Sequence, residues 1–207
     1  MNKNVLVTGG TRGIGEAISR EFAKKGYDLI INYVNSNDKA QNLKQELEKE
    51  YNIKVLPIQT DISNEISIKN TLDINLIAPF VSTKLVGKEM MKQKSGAIIN
   101  ISSTNGINTY YPTSVDYDAS KSGLISLTYD SAVQFAPYVR VNCVAPGWVN
   151  TEMNKELPED FVKEETERIL VKRFAEPKEI AKVVTFLASE DASFVNSTVI
   201  KVDGGWY

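Results

Sequence analysis

NVLVTGGTRGIGEAI (residues 4–18) runs a short β-branched segment directly into a glycine-rich turn and out again into a helical pattern. Gly9, Gly13 and Gly15 occupy the turn. Glycine allows positive φ and close backbone approach, and a helix that starts at such a turn offers unpaired N–H groups to an anion. A strand before and a helix after make this a phosphate-binding turn rather than a merely tight one. Ile14, Ala17, Ile18 and Phe22 recur at helical spacing, Gly26 supplies a C-terminal stop, and YDLIINY (27–33) reads as the next strand. This is one βαβ unit.

The unit repeats along the chain. NDKAQNLKQELEKEYN (37–52) is polar except for Ala40, Leu43 and Leu47, the pattern of a helix on one face of a sheet, and KVLPIQT (54–60) follows as a strand. Further on come GAIINISS (96–103), a helix from about Ala119 to Ala136, VRVNCVAPG (139–147), the helix PKEIAKVVTFLAS (177–189) and the strand STVIKVDGG (197–205). The pattern predicts a single-domain α/β protein spanning 1–207: a doubly wound parallel sheet in three α/β/α layers. The charged stretch NKELPEDFVKEETER (154–168) is either a solvated helical face or loop, or a lid, because it follows the C-terminal end of a strand.

At 207 residues the chain is long enough for one sizeable core. Its 24 basic and 26 acidic residues give no electrostatic reason to expect nucleic acid or an anionic membrane. The N-terminal apolar run is far shorter than the roughly 20 residues of a membrane span, so the expectation is a cytoplasmic protein with small-molecule partners. A single cysteine, Cys143, excludes an internal disulfide and reads as a small buried apolar residue, and with no histidine a zinc site lacks its usual ligands. No metal site is expected.

The absence of histidine raises the question of what moves protons near neutral pH. Tyr117 and Lys121, in DYDASK (116–121), are spaced i, i+4 and share a helix face. An ammonium beside a phenol favours its ionised form, which makes the tyrosine a candidate acid and base in place of histidine. On an exposed helix face the same pair would be ordinary surface polarity.

TGGTRGIG (8–15), TDIS (60–63), DINL (73–76), NISS (100–103), YDASK (117–121) and APGWVNT (145–151) stand in an order that resembles the short-chain dehydrogenase/reductases, with a Rossmann fold, and within them the 3-oxoacyl-acyl-carrier-protein reductase branch. The resemblance implies a catalytic set of Asn75, Ser103, Tyr117 and Lys121. Tyr117 would give a proton to the substrate oxygen as hydride arrives, Ser103 would hold that oxygen, Lys121 would also bind the nicotinamide ribose, and Asn75 would anchor a water behind the lysine. Ser102 competes with Ser103. Ser103 is preferred because it lies three positions before Gly106 and fourteen before Tyr117. As a family of enzymes the resemblance implies an oxidoreductase acting on a carbonyl compound. The rival reading is a non-catalytic nucleotide-binding or regulatory relative.

For the cofactor, the resemblance places Gly9, Thr11, Arg12, Gly13, Ile14 and Gly15 at the phosphates and Asp61 and Ile62 at the adenine. Tyr117, Lys121, Pro146, Gly147, Val149 and Thr151 fall at the nicotinamide end. The second strand ends NYVNSN (32–37), with Asn32 rather than a carboxylate facing the ribose, and Arg12 can meet a phosphate, so NADP is favoured over NAD. Arg12 reads equally as an exposed turn residue. The ending VDGGWY suggests a homotetramer. An acyl carrier protein is a candidate partner through Lys92 and Lys94, although the acidic run from Glu156 to Glu167 suits an acidic carrier poorly.

The sequence departs from the family between Asp61 and Asn75. Only ISNEISIKNTLDI intervenes, where a helix, a central strand and a loop are expected. A crossover of about 10 to 12 residues leaves no room for a further strand. Either residues after about Glu65, near 65–66, are omitted from the sequence, or this is a remodelled relative.

Overall fold

The computed structural model describes residues 3–35, 37–59, 67–108, 111 and 113–207. The expected adenine contacts Asp61 and Ile62, and the expected junction near 65–66, lie outside them. The chain forms two compact units, one drawn from 1–61, 149–157 and 176–185, the other from 62–148, 158–175 and 186–207.

The first unit holds β1 (Asn4–Thr8), α1 (Gly13–Lys24), β2 (Asp28–Tyr33), α2 (Asn37–Tyr51) and β3 (Val55–Gln59), with most of α7 (Pro177–Ala188). Its strands are parallel in the order β1-β2-β3. The strands alternate in burial as a pleat requires: Val7, Leu29, Ile31 and Val55 are buried, together with Ile18, Phe22 and Ala23 of α1 and Leu43 and Leu47 of α2. The apolar stripes read in the sequence are therefore the faces these helices bury. Gly26 ends the α1 segment at φ +77°, where its N–H closes onto the Ala23 carbonyl.

The second unit holds α3 (Ser67–Leu72), α4 (Ala78–Gln93), β4 (Gly96–Ile101), α5 (Val115–Phe135), β5 (Val139–Pro146), α6 (Glu159–Arg168) and β6 (Val199–Val202). Its parallel sheet has the order β4-β5-β6. β5 is the central strand and is buried along nearly its whole length, as its apolar run predicts. Cys143 is buried within it, and burial pushes its thiol up to about 11, the small apolar role expected of it. Two elements differ from the sequence expectation. α5 begins at Val115, not near Ala119, so Tyr117 sits in its first turn; β6 ends at Val202, because the following residues turn through Gly204 and Gly205 at positive φ. No described helix is long and apolar enough to cross a membrane.

Candidate active site

The proton-transfer residues expected from the sequence all lie in the second unit. Ser103 follows the C-terminal end of β4 and caps the short turn Thr104–Gly106, its Oγ accepting from the Asn105 N–H at 3.2 Å. Gly106 explains the close seat of that turn on α5: a Cβ there would come within 2.8 Å of the Lys121 carbonyl oxygen. The turn and the helix meet backbone to backbone, which sets the Ser103 hydroxyl near enough to the Tyr117 phenol to oppose the rise of its pKa. Ser102 is spent elsewhere, donating to the Lys121 carbonyl at 2.8 Å. Ser103 Oγ donates instead to Asn105 Oδ1 at 3.3 Å.

Lys121 Nζ lies 5.5 Å from the Tyr117 ring centroid and donates to the Ile101 carbonyl at 3.0 Å. The electrostatics correct one expectation. Lys121 together with the nicotinamide is expected to lower the Tyr117 pKa; in the protein by itself burial raises it, Asp118 adds to the rise, and the Ser103 hydroxyl opposes it. The ammonium sits over the ring face rather than at the hydroxyl, and burial brings Lys121 itself down to about 8. In the protein by itself the pair is arranged as a neutral phenol beside a readily deprotonated lysine.

Asn75 lies in a π-helical turn, Asp73–Ile77, between α3 and α4. Such turns occur frequently at functional sites. Its Nδ2 donates to Ser120 Oγ at 3.1 Å, and Ser120 Oγ donates to the Tyr117 carbonyl at 2.6 Å. Asn75 is thus tied to the helix that carries Tyr117 and Lys121.

The cofactor-binding candidates divide. In the first unit, Gly9 and Gly13 take φ +64° and +54°, and a Cβ on Gly15 would come within 2.2 Å of the Gly9 carbonyl oxygen. No side-chain substituent fits that crossing. Arg12 is the extended N-cap of α1 and makes no side-chain capping bond, Thr11 is buried, and Ile14 is half-buried in the first turn. Thr151 stands beside this turn, its Cγ2 3.5 Å from a Cβ placed on Gly13, and Val149 is buried with its carbonyl held by Asn154 Nδ2 at 2.8 Å. Asn32 lies one residue before the end of β2, its Nδ2 3.4 Å from the Ile58 carbonyl. Tightly turned glycines and an uncapped helix N-terminus fit a pyrophosphate. In the second unit, Pro146 ends β5 and the Gly147 N–H donates to the Val202 carbonyl at 3.1 Å.

Residues 66–207 match the family described as enoyl-(acyl carrier protein) reductase, and residues 3–72 that of short chain dehydrogenase. The chain belongs to the short-chain dehydrogenase/reductases. The 3-oxoacyl-[acyl-carrier-protein] reductase FabG of Staphylococcus epidermidis is 32% identical over 245 residues, with all of both chains covered. The crystal structure of a 3-oxoacyl-[acyl-carrier protein] reductase from Brucella melitensis matches with a TM-score of 0.92 at 27% identity, covering 99% of this chain and 91% of that one. A second from Brucella melitensis, with bound NAD, matches at 0.88 and 27%, with the same coverage. The Staphylococcus alignment runs over 245 positions against 207 residues here, so several tens of the relative's residues have no counterpart in this short-chain reductase.

Sequence reasoning missed the residues that brace the Ser103–Tyr117 pair. Asp118 Oδ1 accepts from Asn105 Nδ2 at 2.7 Å and from Ser114 Oγ at 3.0 Å. The i, i+4 spacing of Ser114 and Asp118 was legible, but Asn105 is brought to them only by the turn after β4. Glu165 was missed as well. It falls in the stretch read as a solvated face, yet it is buried.

Proposed function

We propose that this chain reduces a carbonyl compound, with a 3-oxoacyl thioester as the favoured class, to the alcohol with NADPH as cofactor. The observation that carries this reading is Lys121 Nζ 5.5 Å over the Tyr117 ring, with the Ser103 hydroxyl beside that tyrosine. When bound, the nicotinamide dinucleotide supplies the hydride. Ser103 Oγ and the Tyr117 hydroxyl together hold the carbonyl oxygen, where negative charge develops. Tyr117 then donates its proton to that oxygen, and its raised pKa keeps it protonated and competent as an acid at neutral pH. Lys121 and the Ser120–Asn75 link hold the tyrosine's helix in register. The glycine turn would hold the pyrophosphate, Val149 and Thr151 the nicotinamide end, and Arg12 the 2′-phosphate that distinguishes NADP from NAD. Asp61 and Ile62 remain the candidates for the adenine.

Ile77, Val81 and Leu85 form an exposed apolar stripe through α4, and Val133 on α5 is 78% exposed; both support a homo-oligomer, a tetramer in this reading. The protein would act in the cytoplasm in acyl-chain synthesis, and a carrier protein would meet Lys92, which pairs with Glu89, and Lys94, which lies over the Tyr138 ring. NADPH oxidation followed at 340 nm against a panel of 3-oxoacyl thioesters and small ketones tests the reading, and cofactor binding without turnover on any carbonyl would favour the non-catalytic relative. The relatives' unmatched residues are the observation on that rival's side.

A further inference from the structure

Glu165 is 1% exposed near the end of α6. Its Oε2 accepts from the Tyr111 hydroxyl at 2.7 Å, Trp148 Nε1 at 2.8 Å and Trp206 Nε1 at 3.0 Å, while Oε1 accepts from an Arg168 guanidinium nitrogen at 3.0 Å. Burial alone would raise its pKa, but these donors hold it below the usual carboxylate range. A buried carboxylate is costly unless its oxygens are fully engaged, and here they are. Trp148 stacks on Phe174 at 5.5 Å and meets Tyr111 edge-on at 6.1 Å. The C-terminal segment is fastened a second time by its backbone, through the Ile169–Trp206 bridge and the Tyr207 N–H donating to the Arg168 carbonyl. The Tyr111 hydroxyl, in turn, ties its segment to α6.

From Tyr111 the hydrogen bonds continue to the proton-transfer pair. The Tyr111 carbonyl accepts from the Ser114 N–H at 2.9 Å and from Ser114 Oγ at 3.1 Å. Ser114 Oγ reaches Asp118, Asp118 accepts from Asn105, and the Asn105 N–H donates to Ser103 Oγ. We propose that Glu165 is a positioning residue, whose buried carboxylate fixes Tyr111 to α6 and through Ser114, Asp118 and Asn105 sets the Ser103–Tyr117 pair. The catalytic consequence rests on the carbonyl-reductase reading above; the mechanical one does not.

The chain has two tryptophans, and both donate to Glu165, so intrinsic emission reports the cluster directly. The experiment compares the full-length parent with Glu165→Gln and Tyr111→Phe, each with NADPH bound. It reads tryptophan emission, hydrogen exchange of peptides covering Ser114 to Lys121, NADPH affinity, and kcat and KM. Glu165→Gln should shift emission to the red and speed that exchange. Tyr111→Phe, which leaves both indoles on the carboxylate, should speed the same exchange with emission as in the parent. Both should lose about tenfold in kcat/KM with NADPH affinity within about twofold. Exchange of Ser114 to Lys121 unchanged in Tyr111→Phe overturns the proposal, even if Glu165→Gln fails to fold. Faster exchange in both variants, with a parent that itself turns over no carbonyl, upholds the positioning and overturns the reductase reading instead.

Discussion

Lys121 Nζ is fixed between two partners, the Ile101 carbonyl at 3.0 Å and the face of the Tyr117 ring, whose centroid lies 5.5 Å away. The lysine therefore steadies the tyrosine's ring while the hydroxyl is left to Ser103. Tyr117→Phe keeps the ring, and so the cation–ring contact, but removes the proton donor. Turnover should fall by about 100-fold or more with NADPH affinity nearly unchanged. Single-turnover kinetics and a binding titration check this, and parental turnover would end the mechanism.

The shifted pKa values give a pH dependence with a definite sign. Lys121, near 8 in the folded protein against about 10.4 unfolded, loses its proton first in the native state. Between those values the unfolded chain binds more protons, so this group's contribution to stability rises with pH. Cys143, raised to about 11, acts in the opposite direction in part of the same window. Urea unfolding of the parent and Lys121→Met at pH 7 and pH 9.5 separates them: the parent should gain on Lys121→Met as the pH rises. An equal pH response in both proteins would show that Lys121 is not desolvated.

Much of the first unit was legible because its signals are local. Strand, glycine turn and amphipathic helix follow one another within residues 4–24, and Gly15 must be glycine wherever the chain crosses at the Gly9 carbonyl. Tyr117 and Lys121 were legible for the same reason. Asp118 and Glu165 were not, because their partners lie far along the chain: Asn105 for one, Tyr111, Trp148 and Trp206 for the other. Glu165 also sits among Glu164, Glu167 and Arg168, all charged, so no periodicity in α6 marks it as buried.

Asp118 offers a separation of charge from geometry. Asp118→Asn keeps an acceptor for Asn105 and Ser114 but removes the charge that helps raise the Tyr117 pKa. In the alcohol-oxidation direction, which needs the tyrosinate, its pH profile should move to lower pH with the plateau rate retained. Asp118→Ala removes the brace too and should lower the plateau about tenfold. Identical profiles for the two variants would rule out the brace.

We expect cofactor choice to turn on Arg12. A guanidinium at the N-cap of α1 can pair with a 2′-phosphate, and near the end of β2 stands Asn32 rather than a carboxylate that would repel it. The parent should bind NADPH more tightly than NADH, and Arg12→Ala should lose about tenfold for NADPH alone. Equal affinities in the parent would remove Arg12 from that role.

The last prediction concerns the short interval before Asn75. β1 is an edge of the β1-β2-β3 sheet, and β4 is an edge of the β4-β5-β6 sheet. On β1, β2 and β3 the registered row Leu6, Ile30 and Leu56 lies on one face, with Leu6 42% and Leu56 55% exposed, and Ile58 beside it 41% exposed. Parallel sheets bury both faces, and an open apolar edge invites aggregation. A helix over that face and a strand on that edge would cure both faults, and a relative that aligns over 245 positions against 207 has residues to supply them. We therefore expect the protein isolated from its source to be longer than 207 residues by roughly 30 to 40, a helix, a strand and a loop, inserted between about Ser63 and Leu72. Intact-mass spectrometry decides it. A mass of 23.0 kDa, with a monodisperse protein that oxidises NADPH, would show instead that the shorter chain is the functional form.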